Sequence, residues 1–244
     1  MSELFIQLFS LRRETGMDAE ATLRSVPGLG FDGIETAGDY GWTATKWRAL
    51  LADTGLTVVG AHLGLPVLEG ALDRVMEFQR EIGNTRLIVP GLARELHTAD
   101  GFREVADRLA RLAVTVRTEG FEVLFHNHAA EFEPLPDGSV GMDILLARTD
   151  PSLVKFEFDT YWLERAGVDS RAYLEKHAAR TGMLHAKELR KRDGADVAAG
   201  QGDVPFPAIL AMARANAWPV VLEYEGDGAV DAVRQGAAHL RALL

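Results

Sequence analysis

The 244-residue chain contains no cysteine, which excludes disulfide bonds, thiolate nucleophiles and cysteine-ligated metal sites. Any metal must therefore be held by His, Asp, Glu, Asn or Gln side chains. Long apolar runs are also missing, because no stretch approaches the roughly 18 residues of a membrane-spanning helix. The apolar part of residues 1–17 is short for a secretory signal peptide. We expect no membrane-spanning segment and a cytoplasmic location.

Positive charge is scarce as well. The chain has 26 Lys and Arg residues against 36 Asp and Glu residues, a net charge of −10. Such a chain repels nucleic-acid phosphates, so we expect no nucleic-acid partner. The 47% of apolar residues suffice to bury a core without covalent cross-links. No Ser/Gly linker or low-complexity run divides the chain, which favours one domain, residues 1–244.

The chain does contain a regular alternation of short apolar segments with longer segments of helical spacing. Eight strand candidates, each followed by a helix candidate, are predicted at residues 4–9, 31–35, 57–62, 86–90, 121–126, 153–159, 183–187 and 219–223. Eight strand–helix units in about 250 residues are typical of a (β/α)₈ TIM barrel, an α/β fold. A dinucleotide-binding sheet is disfavoured, because no G-x-G-x-x-G motif follows the first strand.

Two helix candidates have clear boundary signals. The helix predicted over residues 98–118 has apolar residues on one face, and Gly120 is expected to cap its C-terminal end. The helix predicted over residues 43–53 begins with Thr43 as its N-terminal cap.

Four consecutive strand candidates end in ionisable side chains. The fifth ends at His126, followed by Asn127 and His128, and the next three lead to Asp159, His185 and Glu223. The carboxyl ends of barrel strands meet at one face, and neighbouring strands lie about 4.8 Å apart. We therefore expect these four side chains to surround a space a few ångströms across, which is the size of a metal site.

The donor set indicates which ions fit. Two imidazoles with two carboxylates suit Mn²⁺, Co²⁺, Zn²⁺ or Fe²⁺ better than Ca²⁺, and Mg²⁺ also stays open. Manganese is our first choice. Because side chains alternate along a strand, His126 shares an orientation with His128, and Glu157 shares one with Asp159. One member of each pair can ligate while the other acts as a base.

Each residue also has an ordinary structural alternative. A single His at a strand end is more often solvated or bonded to backbone, Asp159 can cap the next helix, and Glu223 can pair with an arginine. The coincidence of four such strand ends favours a site. His62, which ends the third strand candidate, fits a substrate contact and a structural role equally well. The other histidines lie on predicted loops or helices and are interpreted as surface residues: His97, His177 and His239.

Several segments resemble those of a known family, in the same order and over nearly the whole chain. They read IQLFSLR, GFDGIET, GLTVVGAH, FHNHAAEF, FEFDTYW, HAKE and GQGDVPFPAIL. The chain resembles the sugar phosphate isomerase/epimerase group of the xylose isomerase-like barrel superfamily. The HNH turn, the D-x-Y-W step and the G-x-G-D-V loop before a helix are the most specific matches. The resemblance supports the barrel independently of the strand count.

The resemblance implies a divalent metal held by a carboxylate after strand five, Asp after strand six, His after strand seven and Glu after strand eight. Asp159, His185 and Glu223 stand at three of these positions, whereas His126 stands where many relatives have Glu. Either His126 binds the metal itself, or Glu131, five residues later, folds back to supply the carboxylate.

The resemblance also implies roles around the metal. His128 takes the position of a base, and Lys187 faces the substrate as in a related H-x-K-D motif, with Glu188 in place of the usual Asp. We expect His62, Gln7 and Trp162 to bind substrate. The alternative for Trp162 and its neighbour Tyr161 is core packing against the helix after the sixth strand.

These residues predict an isomerase or epimerase that acts on a keto- or aldo-sugar, or a sugar derivative, through a metal-stabilised enediolate. His128 or Glu131 would remove the C–H proton, and another group such as Glu223 would return it. The expected partner is a small sugar or polyol. A phosphate group on it would need an anion site, for which the candidate cations are Arg12, Arg13, Arg190, Lys191 and Arg192.

Three alternatives remain at this point. The first is dehydration of a keto-polyol, as in the inosose and dehydroshikimate dehydratases that resemble this group, or elimination from a 3-keto-glycoside. The second is a sugar-binding barrel that has lost catalysis. The third is an endonuclease like the apurinic endonucleases of the superfamily, which the net charge of −10 disfavours. The sequence does not predict the oligomeric state.

Overall fold

The short apolar segments form the strands of a closed parallel barrel in a computed structural model, which describes residues 3–244. Along the chain the strands are β1 Leu4–Gln7, β2 Gly33–Ala37, β3 Thr57–His62, β4 Arg86–Val89, β5 Glu122–His126, β6 Val154–Asp159, β7 Thr181–Ala186, β8 Glu188–Arg190, β9 Ala195–Val197 and β10 Val220–Leu222. Around the barrel the order is β1, β10, β7, β6, β5, β4, β3, β2. The predicted α/β TIM barrel is confirmed, and each predicted strand lies within two residues of an observed one.

Strands β8 and β9 are an addition that the sequence did not reveal. They pair antiparallel as a small hairpin outside the barrel, with Glu188 opposite Val197 and Arg190 opposite Ala195. The hairpin comes directly after β7, so it lies at the face where the barrel strands end. Three-residue strands carry too little periodicity to be recognised from the sequence.

A helix follows every barrel strand, as predicted. The helices are α1 Arg12–Ser25, α2 Ala44–Thr54, α3 Leu65–Glu81, α4 Ala99–Arg117, α5 Gly141–Arg148, α6 Thr160–Arg165, α7 Ser170–Lys176, α8 Phe206–Asn216 and α9 Ala229–Leu243. Thr43 caps α2 by accepting a hydrogen bond from the Lys46 amide at 3.3 Å. Within residues 3–244, no helix has both the length and the apolar character that crossing a bilayer requires.

Helix α4 illustrates how the sequence pattern positions the outer layer. Thr98 caps it by accepting a bond from the Gly101 amide at 3.0 Å, and Gly120 closes the following turn with a φ of 81°. Burying one such apolar side chain contributes about 1.5–3 kcal/mol, so its apolar face fixes the helix to the sheet. The fully buried residues of this face are Phe102, Val105, Ala106, Leu109 and Val116.

The inside of the barrel is divided into two halves along its axis. The half nearer the strand N-termini is filled by an apolar cluster of Phe5, Val59, Ile88, Leu124, Met183 and Val221. The half nearer the strand C-termini is filled by buried polar side chains. Strand register sets these side chains side by side, with Gln7 beside Glu35, His126 beside Glu157 and Asp159 beside His185.

Candidate active site

The four side chains predicted as metal ligands meet at the C-terminal face of the barrel. One donor atom from each of His126, Asp159, His185 and Glu223 lies within 4.8 Å of the donors of the other three. All four residues are buried, and Glu223, the most accessible, is 6% exposed. Bonds of about 2.1 Å place opposite ligands of one ion roughly 4.2 Å apart, so small adjustments suffice. This group can hold a divalent metal, and its N/O donors fit several first-row ions.

Asp159 uses its two carboxylate oxygens differently. Its Oδ1 accepts a hydrogen bond from the Trp162 amide at 3.0 Å and so caps α6, which is the structural alternative considered for this residue. Its Oδ2 is buried without a hydrogen-bond partner among residues 3–244 and lies 3.7 Å from His185 Nδ1. The Asp159 amide donates to Asn127 Oδ1 at 3.0 Å, which fixes the strand end. An unpartnered buried carboxylate oxygen that faces the other donors fits a cation.

Of the two candidates for the strand-five ligand, His126 lies in the donor group and Glu131 does not. The Glu131 carboxylate turns back to its own loop and accepts a hydrogen bond from the His128 amide at 2.8 Å. Burial, together with the nearby His185, lowers the pKa of His126 to about 3, which leaves a neutral imidazole with a free lone pair. A neutral imidazole is the form that binds metal.

A second set of buried side chains, called the lower set from here on, lies directly below these four donors, further into the barrel. Glu35 Oε2 is 2.7 Å from His185 Nε2, and Gln7 Nε2 donates to the same oxygen at 2.6 Å. Glu157 Oε2 is 2.9 Å from His62 Nε2 and 3.2 Å from His126 Nδ1. Glu35, Glu157 and Gln7 have no exposed surface. Gln7 was predicted to bind substrate, but it lies beneath the cavity with its amide already engaged.

The two lower carboxylates differ in their proton affinity. Burial and the negative charge of Glu157 raise the pKa of Glu35 to about 7. Burial also favours the neutral form of Glu157, but His185 and the other imidazoles outweigh it and hold the pKa of Glu157 well below its ordinary range. The Glu35 carboxyl therefore keeps its proton to a higher pH than the Glu157 carboxyl does.

Sequence reasoning missed Glu35, although a signal was present. It follows Ile34 in an apolar strand and stands in register with Gln7 on β1, so two polar residues point into the barrel side by side. The space for its carboxylate comes from Gly60, where an added Cβ would lie 2.8 Å from Glu35 Oε1. A glycine inside a strand often marks such a close approach.

Lys187 lies at the edge of the donor group and is buried. Its ammonium forms a close ion pair with Glu225 and lies 3.5 Å from Glu223 Oε2. Burial alone would lower the pKa of Lys187, but the negative charges of Glu223 and the other carboxylates have the larger effect, so the pKa is raised above its ordinary value. The ammonium also lies 4.8 Å from the centre of the Trp162 ring, and that ring is 5.1 Å from the His128 ring.

A cavity of about 430 Å³ opens above these side chains. Of the predicted substrate-binding residues, His62 lines it, and its Nε2 contacts Glu157 from the other side. The cavity is lined by Phe9, Ala37, His62, Pro90, His126, His128, Glu223 and Glu225. It therefore joins the donor group to the candidate base His128.

The three histidines that were predicted to lie away from the site do lie away from it. His97, His177 and His239 belong to neither donor group, although they are half-buried rather than fully exposed. Glu188, which stands where the related motif has Asp, is buried and binds backbone. It accepts hydrogen bonds from the Gly200 and Val204 amides at 3.0 and 2.9 Å, so it holds the G-x-G-D-V loop in place.

Comparisons with known proteins agree with this architecture. The structure is similar to that of a sugar phosphate isomerase/epimerase from Parabacteroides distasonis, with a TM-score of 0.86, 23% identity and coverage of 99% of this chain and 94% of that one. It is also similar to an L-ribulose 3-epimerase, with a TM-score of 0.75, 18% identity and coverage of 100% and 95%. At these identities the likeness shows the fold.

Among curated proteins, the chain is 25% identical to inosose dehydratase from Clostridium perfringens in an alignment that covers 53% of this chain and 49% of the relative. The inosose dehydratase of Clostridium beijerinckii is 27% identical in an alignment that covers 52% of this chain and 48% of that one. The chain thus matches about half the length of these relatives. Residues 23–243 match the model of the family described as xylose isomerase-like TIM barrel. The chain belongs to the xylose isomerase-like TIM barrel family.

Proposed function

We propose that the protein is a divalent-metal-dependent isomerase or epimerase of a keto- or aldo-sugar or a sugar derivative. The observation that carries this proposal is the group of four donors, His126, Asp159, His185 and Glu223, directly beneath a cavity that His128 lines. When bound there, a divalent ion supplies Lewis-acid stabilisation of the charge that develops on substrate oxygens, worth several kcal/mol. Manganese is the ion we propose first.

In this proposal His128 removes the proton from the carbon beside the carbonyl. Its ring lines the cavity, and its backbone is held by Glu131. We therefore assign Glu131 the task of positioning His128. Glu223 lines the same cavity. In its protonated form it would donate its own proton to the opposite face of that carbon or to the next carbon, while His128 keeps the proton that it removed. Positioned acid–base groups of this kind typically add about 10²- to 10⁴-fold to the rate.

Lys187 and Trp162 do not line the cavity but lie next to Glu223 and His128, which do, and in this proposal they orient the substrate. The ammonium of Lys187 lies beside Glu223 and provides a hydrogen-bond donor for a hydroxyl or for the negatively charged oxygen of the enediolate. The half-buried Trp162 ring stacks against the apolar C–H edges of a sugar, and its Nε1 has no partner among residues 3–244, so it can donate to a hydroxyl.

We further propose that the substrate carries no phosphate. The described residues that line the cavity include two carboxylates, Glu223 and Glu225, and neither lysine nor arginine. Lys187, beside them, has one positive charge, which is paired with these two carboxylates and does not outweigh them. The cations that were candidates for an anion site are engaged elsewhere: Arg12 with the Glu225 carbonyl, Arg13 with Asp227, Arg190 and Arg192 with Asp193, and Lys191 with Glu164. A dianion would meet like charge on this wall.

Dehydration of a keto-polyol is the second candidate, and the match to two inosose dehydratases favours it. It begins with the same removal of a proton beside the carbonyl. The electron pair of the enolate then forms a C=C bond and expels the hydroxyl group on the next carbon. The departing hydroxyl takes up the proton and leaves as water, and the product is a conjugated enone. The two reactions share the first proton transfer and differ only in the step after it.

Proton NMR in D₂O distinguishes these reactions. The Mn²⁺-loaded protein is incubated with unphosphorylated ketoses and with an inosose, and Asp159→Asn serves as a matched control because Asn keeps the cap of α6. Deuterium beside the carbonyl in an unchanged carbon skeleton supports isomerisation or epimerisation, whereas an enone that absorbs in the ultraviolet supports dehydration. A protein that binds no divalent ion and exchanges no proton is instead a binding protein, and both enzymatic proposals fail.

A further inference from the structure

His185 stands between the upper donor group and the lower set of ionisable side chains, and its two ring nitrogens face different layers. Its Nδ1 faces the upper group, 3.3 Å from Glu223 Oε2 and 3.7 Å from Asp159 Oδ2. Its Nε2 faces the lower set, 2.7 Å from Glu35 Oε2 and 3.2 Å from Glu157 Oε2. The ring itself has no exposed surface. One imidazole therefore connects the two layers.

The shortest contact of His185 is the one with Glu35. Separations of 2.6, 2.7 and 2.9 Å in the lower layer are those of hydrogen bonds, in which a proton lies between two heavy atoms. Ligands that share an ion through bonds of about 2.1 Å are instead roughly 3.0–3.4 Å apart, because each points at the ion and not at its neighbour. The 3.3 Å from His185 Nδ1 to Glu223 Oε2 fits a long hydrogen bond and also fits two ligands of one ion, as does the 3.2 Å from His185 Nε2 to Glu157 Oε2. The 2.7 Å contact with Glu35 is too short for ligand spacing and identifies Nε2 as the hydrogen-bonded nitrogen.

The Glu35 carboxylate is held against His185, and its Oε2, which is 2.7 Å from His185 Nε2, also lies 3.3 Å from His62 Nε2. It extends from β2 with no exposed surface, and Gln7 donates to the same oxygen that faces His185. Its second oxygen, Oε1, lies in the space left by Gly60 and has no hydrogen-bond partner among residues 3–244. The Glu35 carboxylate lies below the cavity, outside its lining, so it does not reach a substrate.

We infer that Glu35 is a positioning residue for the metal centre. By accepting the Nε2–H of His185, it fixes the orientation and tautomer of that ring and directs the Nδ1 lone pair to the ion. A carboxylate in this position also makes the imidazole a stronger ligand, and loss of such a partner typically weakens metal binding about 10- to 100-fold. This inference rests on the proposed metal-dependent function and adds to it the residue that orients the histidine ligand.

Metal affinity measured on the metal-free protein tests the inference without reference to activity. Mn²⁺ is titrated into the parent chain and into Glu35→Gln, and free Mn²⁺ is monitored by electron paramagnetic resonance. We expect one Mn²⁺ per chain and a dissociation constant about 10- to 100-fold higher for Glu35→Gln. Glu188→Gln is the matched control, because Glu188 is an equally buried carboxylate that binds only the loop backbone. Its affinity for Mn²⁺ should stay within about twofold of the parent.

Nitrogen NMR of the unaltered protein provides a second test that requires no variant to fold. With Zn²⁺ as a diamagnetic ion, His185 should carry its proton on Nε2 and bind the metal through Nδ1. Metal at Nε2, two ions per chain, or equal losses in Glu35→Gln and Glu188→Gln each overturn the inference. A folded Glu35→Gln that binds Mn²⁺ like the parent also overturns it and leaves the proposed function intact. A parent chain that binds no metal overturns both.

Discussion

The two halves of the barrel interior are built by the same strands and filled in opposite ways. The lower half is closed by six apolar side chains, among them Ile88 and Leu124, with at most 5% exposure. The upper half buries carboxylates and imidazoles, including Glu35, Asp159 and His185, none of which has exposed surface. The lower half thus gains free energy from burial, whereas the upper half loses free energy unless its charges are compensated. The apolar packing and the side chains of the proposed chemistry thus occupy separate halves of one barrel.

This comparison makes a prediction for variants in either half. Removing a carboxylate from the upper half should damage metal binding and activity but not the fold. Removing an apolar group from the lower half should damage the fold but not the metal affinity. A residue at the boundary between the halves should affect both.

The largest effect is expected for Asp159→Asn. The variant keeps the cap on α6 but replaces Oδ2, the buried oxygen without a partner, so a metal ligand is lost. Loss of several kcal/mol of transition-state stabilisation lowers kcat/KM about 10³-fold. Steady-state kinetics of whichever reaction the NMR experiment detects, with Mn²⁺ in excess, measures it.

The same variant should be more stable than the parent when no metal is present. Burial raises the pKa of Asp159, so the charged form is disfavoured in the folded protein at neutral pH, and Asn removes that unfavourable charge. Thermal unfolding in the presence of a chelator should therefore show a higher Tm for Asp159→Asn. A lower Tm would mean that the charge of Asp159 stabilises the metal-free fold, against the proposed division of the barrel.

A substantial loss of stability is expected for Ile88→Ala in the lower half. Ile88 has no exposed surface, so the substitution leaves a cavity and costs about 2–5 kcal/mol. Urea unfolding of the metal-free protein measures this, and Ile88→Val, with a loss of about 0.5–1.5 kcal/mol, is the graded control. The Mn²⁺ dissociation constant of folded Ile88→Ala should equal that of the parent. A tenfold weaker affinity would show that the two halves are coupled.

Removal of the metal should have an intermediate effect on the whole chain. Mn²⁺ at 100 times its dissociation constant stabilises the folded state by about 2.7 kcal/mol, if the unfolded chain does not bind it. For a chain of this length a chelator should then lower Tm by about 5–10 °C. Differential scanning calorimetry with and without chelator tests this. The shift should disappear in Asp159→Asn and persist in Ile88→Val, since only the first variant loses a ligand.

Much of this division was predictable from the sequence because of where the barrel fold brings strand ends together. His126, Asp159, His185 and Glu223 each close an apolar segment, and parallel strands in a closed barrel place such ends at one face. Local sequence and the general rule of the fold were enough for this group. The choice between His126 and Glu131 required the path of the loop after β5, which sequence periodicity does not encode.

The lower set of ionisable side chains, which lies in the upper half of the barrel next to the boundary, was not predictable in the same way. Glu35 and Gln7 become functional candidates only when a strand's register decides which of its residues point into the barrel, and a shift of one residue reverses the answer. Glu225 was missed because its partner, Lys187, is 38 residues away in the sequence. Which distant side chains pair with each other is decided only in the assembled fold. That the strand ends meet at one face follows from the barrel topology alone.

The smallest expected effect belongs to Gly60→Ala, and it is the sharpest test of the boundary. An added Cβ at Gly60 would lie 2.6 Å from Ile88 Cδ1 in the lower half and 2.8 Å from Glu35 Oε1 in the upper half. Both neighbours must move, so we expect a loss of about 1–3 kcal/mol of stability together with weaker Mn²⁺ binding. Urea unfolding and Mn²⁺ titration of one preparation measure the two effects. If stability falls while Mn²⁺ binds as tightly as in the parent, displacement of Glu35 does not change the orientation of His185. Packing in the lower half and metal binding in the upper half are then independent. A loss of both places the boundary between the two halves at Gly60, where a single methyl group disturbs the packing that supports the fold and the carboxylate that orients the ligand.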